Sequence, residues 1–178
     1  MSSERNPFVV VGIDPGKTTG MFIYSPQGRL GGFRYELKPF YAWQQFGAED
    51  APRVLNGEIT DLAGRYGASG VHIAVERFII NARTAKSSQQ VDALEVTGMV
   101  KGFAALRTPN PVRQYMKANL RFASDEGLRK VGWYSPKMGH ATDAARQAYA
   151  LLKDVHYPSW LDVANGAMMK IDEETKGR

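Results

Sequence analysis

Two carboxylates close apolar runs in this chain, and a histidine–aspartate pair lies near its C-terminal end. Asp14 ends the run VVVGID, and Glu76 ends the run VHIAVE. An acidic residue at the end of so apolar a strand is costly unless it is solvated or paired with a cation. If the two strands are parallel neighbours, both carboxylates emerge at the carboxyl edge of the sheet, where α/β proteins gather their sites.

The pair is His140 and Asp143, in the segment GHATDAARQAY. Residues three apart share one face of a helix, so both side chains can point at one spot. Each residue also has a structural alternative: Asp14 precedes Pro-Gly and suits a turn, His140 suits a helix start, and Asp143 suits the helix dipole. Together the four residues favour a site for divalent cations.

The chain has no cysteine, which excludes disulfides, thiolate zinc sites and a cysteine nucleophile. A metal must then be held by carboxylates, histidines or carbonyl oxygens, and this favours Mg²⁺ or Mn²⁺. The lack of cysteine also fits a reducing cytoplasm, and neither a signal peptide nor a membrane span is expected.

The opening stretch VVVGIDPGKTTG contains GKT, which is also the end of a nucleotide-binding P-loop. That motif requires a glycine five residues before its second glycine, and position 11 is Val11. A P-loop also continues into a helix, whereas the residues after Thr18 have the pattern of a strand. The spacing therefore favours the metal-site interpretation over an NTPase.

The elements that must position these residues follow an α/β order. Continuous β-branched runs and turn residues predict strands, and apolar residues at helical spacing predict helices. The predicted strands are 8–13, 20–24, 30–37, 71–76 and 112–115, and the predicted helices are 52–66, 85–106 and 139–155. Segment 38–52 is aromatic and reads as irregular. We expect a single domain over 1–178, with a frayed charged tail from about residue 170, built on a mixed sheet.

The charge is concentrated in one part of the chain. The whole protein carries a net charge of +5 with a pI near 9.5. Segment 101–153 holds ten Lys or Arg and three acidic residues, so that segment alone is +7. Such a concentration is the electrostatic footprint of a nucleic-acid binder, although a solvated basic face kept for solubility has the same composition.

With these residues in place, the chain resembles the RuvC family of Holliday-junction resolvases, in the ribonuclease H-like superfamily. The matching motifs are GIDPG with Asp14, VERF with Glu76, and GHATDAARQAY with His140 and Asp143. The resemblance implies a ribonuclease H-like fold with a central five-stranded mixed sheet flanked by helices. It also implies a homodimeric endonuclease that makes paired cuts in four-way DNA.

The same resemblance implies a site for two Mg²⁺ ions, with Mn²⁺ as a substitute, held by Asp14, Glu76, His140 and Asp143. The expected products carry 5′-phosphate and 3′-hydroxyl ends. Lys117 is the expected catalytic cation near the scissile phosphate. The expected DNA-binding residues are basic side chains of the first loop and of the second half: Lys17, Arg113, Lys117, Arg121, Arg129, Lys130 and Lys137.

One position departs from the family pattern, and one predicted helix agrees with it. Family members usually carry an aromatic residue three positions after the second-strand glutamate, and here that position is Ile79, with Phe78 one residue earlier. Relaxed selectivity, with cleavage of Y-forks and flaps as well as four-way junctions, is therefore expected. The predicted helix 85–106 carries Gly98 and Gly102 and is similar to the family's dimer helix.

Other functions remain open from the sequence. A flap or terminase-type nuclease of the same superfamily would share the four ligands without the dimer. A non-catalytic DNA-binding module would share the basic surface. The pattern GIDPGKTTG is also similar to the first phosphate loop of actin-like ATPases, but those proteins need a second lobe for which 178 residues leave no room.

Overall fold

The computed structural model describes residues 7–26, 30–31, 34–35, 40–79 and 88–154. The strands are β1 (Val9–Asp14), β2 (Thr18–Ser25), β3 (Leu30–Gly31), β4 (Arg34–Tyr35), β5 (Phe40–Gly47), β6 (Val71–Glu76) and β7 (Arg113–Tyr115). The α-helices are α1 (Ala51–Tyr66), α2 (Ser88–Arg107), α3 (Asp125–Lys130) and α4 (Gly139–Asp154). Short 3-10 turns cover Ala48–Asp50, Ala68–Gly70 and Lys117–Leu120.

Five of the strands form one mixed sheet in the order β5-β2-β1-β6-β7. The first two strands and β5 make an antiparallel meander, while β6 pairs in parallel with both β1 and β7. The predicted five-stranded mixed sheet is therefore confirmed. After Gly16–Lys17 the chain continues into strand β2, whereas a P-loop would continue into a helix.

The third strand of the meander lies elsewhere than predicted. Within the predicted strand 30–37, the described residues form only the two-residue strands β3 and β4, which pair with each other in a separate sheet. The outer strand of the main sheet is β5, inside the segment that the sequence suggested was irregular. Phe40 and Phe46 of this strand pack against one core cluster and Trp43 packs against another, so the polar–apolar alternation of a half-exposed strand is missing.

The remaining elements lie close to their predicted bounds. Helices α1 and α4 and strands β1, β6 and β7 begin or end within two residues of the predictions, and α2 ends at Arg107. The segment between β7 and α4, where neither a helix nor a strand was predicted, contains a 3-10 turn and the short helix α3. The first residues of predicted helix 85–106 and the tail from residue 170 lie outside the described part of the chain.

The sheet is covered on both faces. Because side chains alternate along a strand, Val9, Val11 and Ile13 pack under α1 and α2. Val10 faces the opposite side, where the alanines of α4 and Trp133 complete a second core. Asp14 follows the same period as Val10 and therefore lies on the face that α4 covers.

Helix α4 lies directly on the backbone of β1 and β2. A Cβ atom at Gly12 would lie 2.7 Å from the backbone nitrogen of Ala148, and one at Gly20 would lie 2.5 Å from that of Ala141. Both distances are shorter than the 3.0 Å below which real Cβ contacts essentially never fall. These two glycines therefore set how closely α4, with His140 and Asp143, approaches the strand that carries Asp14.

None of the helices in the described part of the chain is long and apolar enough to cross a membrane.

Candidate active site

Asp14 and Glu76 meet at one edge of the sheet. The parallel pairing of β1 with β6 places Ile13 opposite Val75, so the two carboxylates, each the next residue in its strand, emerge side by side. Their side chains hydrogen-bond to each other. Asp14 is buried, with only 6% of its surface exposed. The predicted convergence of these two strand ends is thus present in the structure.

The two acids share their charge unequally. Burial raises the pKa of both carboxyls, since a charged form in a poorly solvated place is disfavoured. Their hydrogen bond then lowers the pKa of Asp14 and raises that of Glu76. The hydrogen bond therefore favours the proton on Glu76 and the negative charge on Asp14. A pair arranged in this way has a strong electrostatic demand for a nearby cation.

His140 reaches this pair from the first turn of α4. Its Nδ1 lies 2.8 Å from Oδ2 of Asp14. Because an ionised carboxylate only accepts hydrogen bonds, Nδ1 is the donor, and the free lone pair of a neutral ring lies on Nε2. The side chain is half exposed, which leaves this nitrogen available for a ligand.

The start of α4 is held in place by a residue that sequence reasoning missed. The side-chain oxygen of Gln45, on β5, accepts hydrogen bonds from the backbone N–H groups of His140 and Ala141 at 3.0 and 3.2 Å. These are two of the donors that the first turn of a helix leaves without partners. Gln45 lies 95 residues before His140, so no local signal could have revealed this contact.

Asp143 is paired with two positively charged side chains, those of Lys117 and Arg146. Its Oδ2 accepts from Nζ of Lys117 at 2.7 Å, and its Oδ1 accepts from Arg146. The bond to Asp143 raises the pKa of Lys117, because it stabilises the ammonium form. Arg146, the second residue that sequence reasoning missed, lies three positions after Asp143, a spacing that pairs charges on one helix face and could have identified it.

A cleft of about 350 Å³ opens over these groups. All four predicted ligands line it, as do Lys117, Lys17 and Phe78. The structure therefore brings together Asp14, Glu76, His140, Asp143 and Lys117 in one place, with the exposed Lys17 at the same opening. Phe78 lines the cleft, whereas Ile79 is 58% exposed and is not part of its lining.

The other predicted DNA-binding residues lie outside the cleft lining. Arg113, Arg121 and Lys137 are exposed. Arg129 packs over the ring of Tyr134 at 4.1 Å, and Lys130 pairs with Glu126 at 2.9 Å. These side chains could reach a nucleic acid only as a wider basic surface around the cleft.

The side chains in the cleft are of the chemical types that bind hard divalent cations, since they offer carboxylate oxygens and one imidazole nitrogen. Their arrangement differs from a finished metal site: in the described residues, no three His, Asp or Glu side chains are grouped so that they could hold one ion. Asp143 is turned toward Lys117 and Arg146, and Asp14 is engaged by His140. The buried charge of Asp14 and the proton on Glu76 are nevertheless the groups that a cation would stabilise or displace.

Comparison with known proteins places the fold. No family model matches the chain, and no curated protein sequence matches it. Among solved structures, RuvC of Thermus thermophilus in complex with a Holliday junction substrate is similar, with a TM-score of 0.52 and 19% identity over 84% of this chain and 96% of that one. A second Thermus thermophilus RuvC structure has a TM-score of 0.54 and 20% identity, over 83% and 96% of the two chains.

The fold therefore belongs to the ribonuclease H-like α/β class, as the motifs implied. Within that class, the fold is similar to that of Thermus thermophilus RuvC.

Proposed function

We propose that this protein is a metal-dependent endonuclease that resolves Holliday junctions. The observation that carries the proposal is the hydrogen-bonded pair of buried Asp14 and half-buried Glu76 at the carboxyl edge of the sheet. His140 bonds to the pair, and Asp143 lines the same cleft. A similar fold is known in complex with a Holliday junction substrate, which supports branched DNA as the substrate.

The proposed ligands are Asp14, Glu76, His140 and Asp143, for two Mg²⁺ or Mn²⁺ ions. Divalent cations bound there would neutralise the carboxylates, favour ionisation of an attacking water and stabilise the charge that develops on the phosphate. Glu76 must release its proton to bind a cation, and His140, held through Nδ1, would offer Nε2. The proposed products are 5′-phosphate and 3′-hydroxyl ends.

Lys117 and Lys17 flank the cleft and would hold the scissile phosphate. Lys117 is bonded to Asp143, so we expect it to exchange that carboxylate for a phosphate oxygen when DNA is bound. The exposed Arg113, Arg121 and Lys137, together with Arg129 and Lys130, would contact the backbone farther along the arms. Such contacts position DNA without reading its sequence, which fits a nuclease that selects shape.

The direct test compares cleavage and binding for Asp14→Asn. Purified protein is incubated with labelled four-way, Y-shaped and linear DNA in Mg²⁺, Mn²⁺ or a chelator. We expect wild-type protein to cut the four-way junction only with metal, and Asp14→Asn to bind it without cutting. Asp61→Asn, the same substitution at an exposed position of α1, is the matched control and should cut normally. Normal cutting by Asp14→Asn would refute the proposed site.

The same gel separates the alternatives. Equal cutting of flaps and four-way junctions would favour a broader ribonuclease H-like nuclease. Metal-independent binding with no cutting under any condition would favour a DNA-binding module.

We also propose that the protein is a homodimer joined through α2. One side of this helix packs into the core through Ala93, Val96, Val100 and Ala104. Another stripe, at spacings of three and four residues, exposes Val91, Leu94, Gly98, Gly102 and Leu106. Leu106 is 72% exposed, and a Cβ at either glycine would meet nothing within 4 Å. A helix face that exposes large apolar side chains and glycines in this way is typical of an association face.

A two-fold dimer suits paired cuts in a four-way junction. Light scattering should give twice the monomer mass for wild-type protein and the monomer mass for Leu94→Arg. Phe122→Arg, which changes an exposed apolar residue far from α2 in the chain, should leave the mass unchanged. A monomeric wild-type protein would contradict the dimer but not the metal site.

A further inference from the structure

The guanidinium of Arg146 joins three parts of the chain. Its two terminal nitrogens donate to Oδ1 of Asp143 and to Oδ1 of Asp125, and its Nε donates to the carbonyl oxygen of Ala123 at 3.1 Å. Only 18% of the side chain is exposed. Since each of its three nitrogens has an acceptor, the planar group is held in one orientation.

This arrangement determines which oxygen of Asp143 can change partners. Oδ1 is tied to an arginine that two further acceptors hold in place, whereas Oδ2 is bonded to Lys117, whose side chain is 63% exposed. A flexible, solvated ammonium exchanges more readily than a rigid, bonded fork. Asp143 therefore has one anchored oxygen and one that is available.

We infer that Arg146 is a positioning residue for Asp143, and that Asp125 limits how strongly Arg146 competes for that carboxylate. The inference rests on the proposed function, because it assumes that Asp143 is a metal ligand. Asp125 lies in the first turn of α3, 48% exposed, and is not among the residues that line the cleft.

The physical reason is a division of charge. With both carboxylates present, the single positive charge of Arg146 is shared between Asp125 and Asp143. If Asp125 loses its charge, the guanidinium has one carboxylate left, so it binds Asp143 more tightly and opposes a cation there. Partners of this kind, which orient a metal ligand from behind, typically change metal affinity by about 10- to 100-fold when mutated.

The decisive experiment is calorimetric titration of DNA-free protein with Mn²⁺, comparing Asp125→Asn with Glu126→Gln. The two positions are adjacent on α3, and each substitution removes one negative charge. Glu126, however, pairs with Lys130 and not with Arg146. We expect Asp125→Asn to weaken Mn²⁺ binding by about tenfold. Glu126→Gln should be nearly neutral, as exposed ion pairs contribute little.

Two further measurements separate positioning from general electrostatics. In about 1 M salt, where the Debye length falls to about 3 Å, a long-range charge effect disappears, whereas the effect of Asp125→Asn should persist. Asp125→Glu keeps the charge and should restore at least part of the affinity. Arg146→Lys replaces the planar fork with a single ammonium, which cannot keep the contacts to Asp143, Asp125 and the Ala123 carbonyl in their present geometry. It should therefore weaken binding, and adding Asp125→Asn to it should cause little further loss.

The outcomes distinguish this inference from the proposed function. If wild-type protein binds no Mn²⁺, or if Asp14→Asn binds as wild type does, the metal site itself is wrong, and the role of Arg146 falls with it. If wild type binds and Asp14→Asn does not, but folded Asp125→Asn and Arg146→Lys bind as wild type does, only the positioning role is overturned.

Discussion

The contact between α4 and the sheet leads to a sharp prediction for Gly20→Ala. This substitution adds one methyl group where β2 passes beneath the first turn of the helix. The new Cβ would lie 2.5 Å from the backbone nitrogen of Ala141, whereas ordinary contact begins at 3.4 Å. The obstacle is backbone, which cannot rotate away as a side chain can. The start of α4 must therefore retreat by about 1 Å, as in other overpacked cores.

The retreat has two separate consequences. Overpacking of a close contact costs about 1–3 kcal/mol. For a protein of this size that lowers the unfolding temperature by roughly 2–12 °C. The distance from His140 Nδ1 to Asp14 Oδ2, now 2.8 Å, would also lengthen beyond hydrogen-bond range. If the proposed nuclease activity is correct, a 1 Å misplacement of its groups should cost about a hundredfold in rate.

The assay is calorimetric unfolding of Gly20→Ala beside Gly64→Ala. Gly64 lies on the exposed side of α1, and a Cβ there would meet nothing within 4 Å. The same chemical change should therefore stabilise the helix at Gly64 by about 0.5–1 kcal/mol. Junction cleavage should fall only for Gly20→Ala. Equal unfolding temperatures for the two variants would refute the close approach of α4 to β2, and with it the described position of His140.

Three more predictions follow from the same contacts. Since burial raises the pKa of Asp14 and Glu76 above the unfolded value near 4, the folded metal-free protein binds more protons than the unfolded chain. Its unfolding temperature in chelator should therefore fall as the pH rises above that value. In Glu76→Gln, the unfolding temperature should depend less on pH. A rise of the unfolding temperature with pH would contradict the raised pKa values of this pair. Gln45→Leu should cost about 1 kcal/mol and speed amide exchange at His140, because it removes an acceptor from the start of α4; unchanged exchange would count against the cap. Lys117→Met should weaken junction binding and lower the slope of log affinity against log salt by about one, measured by fluorescence anisotropy; an unchanged slope would show that Lys117 does not contact phosphate.

Several features of the site could be predicted because they depend on short-range patterns. A β-branched apolar run that ends in a carboxylate is visible in the sequence at Asp14 and again at Glu76. The three-residue spacing of His140 and Asp143 indicates a shared helix face in the same way. These patterns also predicted the α/β class and four of the five strands of the sheet. They depend only on the periods of a strand and of a helix, which each segment carries by itself.

Other features were decided only when the chain folded. The parallel pairing of β1 with β6, which brings Asp14 beside Glu76, joins residues 62 positions apart in sequence. The edge strand β5 was missed because its aromatic residues pack on both faces of the sheet, which removes the alternation that marks a strand.

The partners of the site residues were likewise set by tertiary structure. Lys117 pairs with Asp143 across 26 residues, and Gln45 caps α4 across 95. Such contacts depend on how closely whole elements approach, and that distance is set by packing and by glycines such as Gly12 and Gly20. The sequence by itself determined which side chains could carry chemistry. The tertiary structure decided which of them meet and which basic side chains pair with them. Contacts between residues far apart in the chain produce no periodic pattern that the sequence could show.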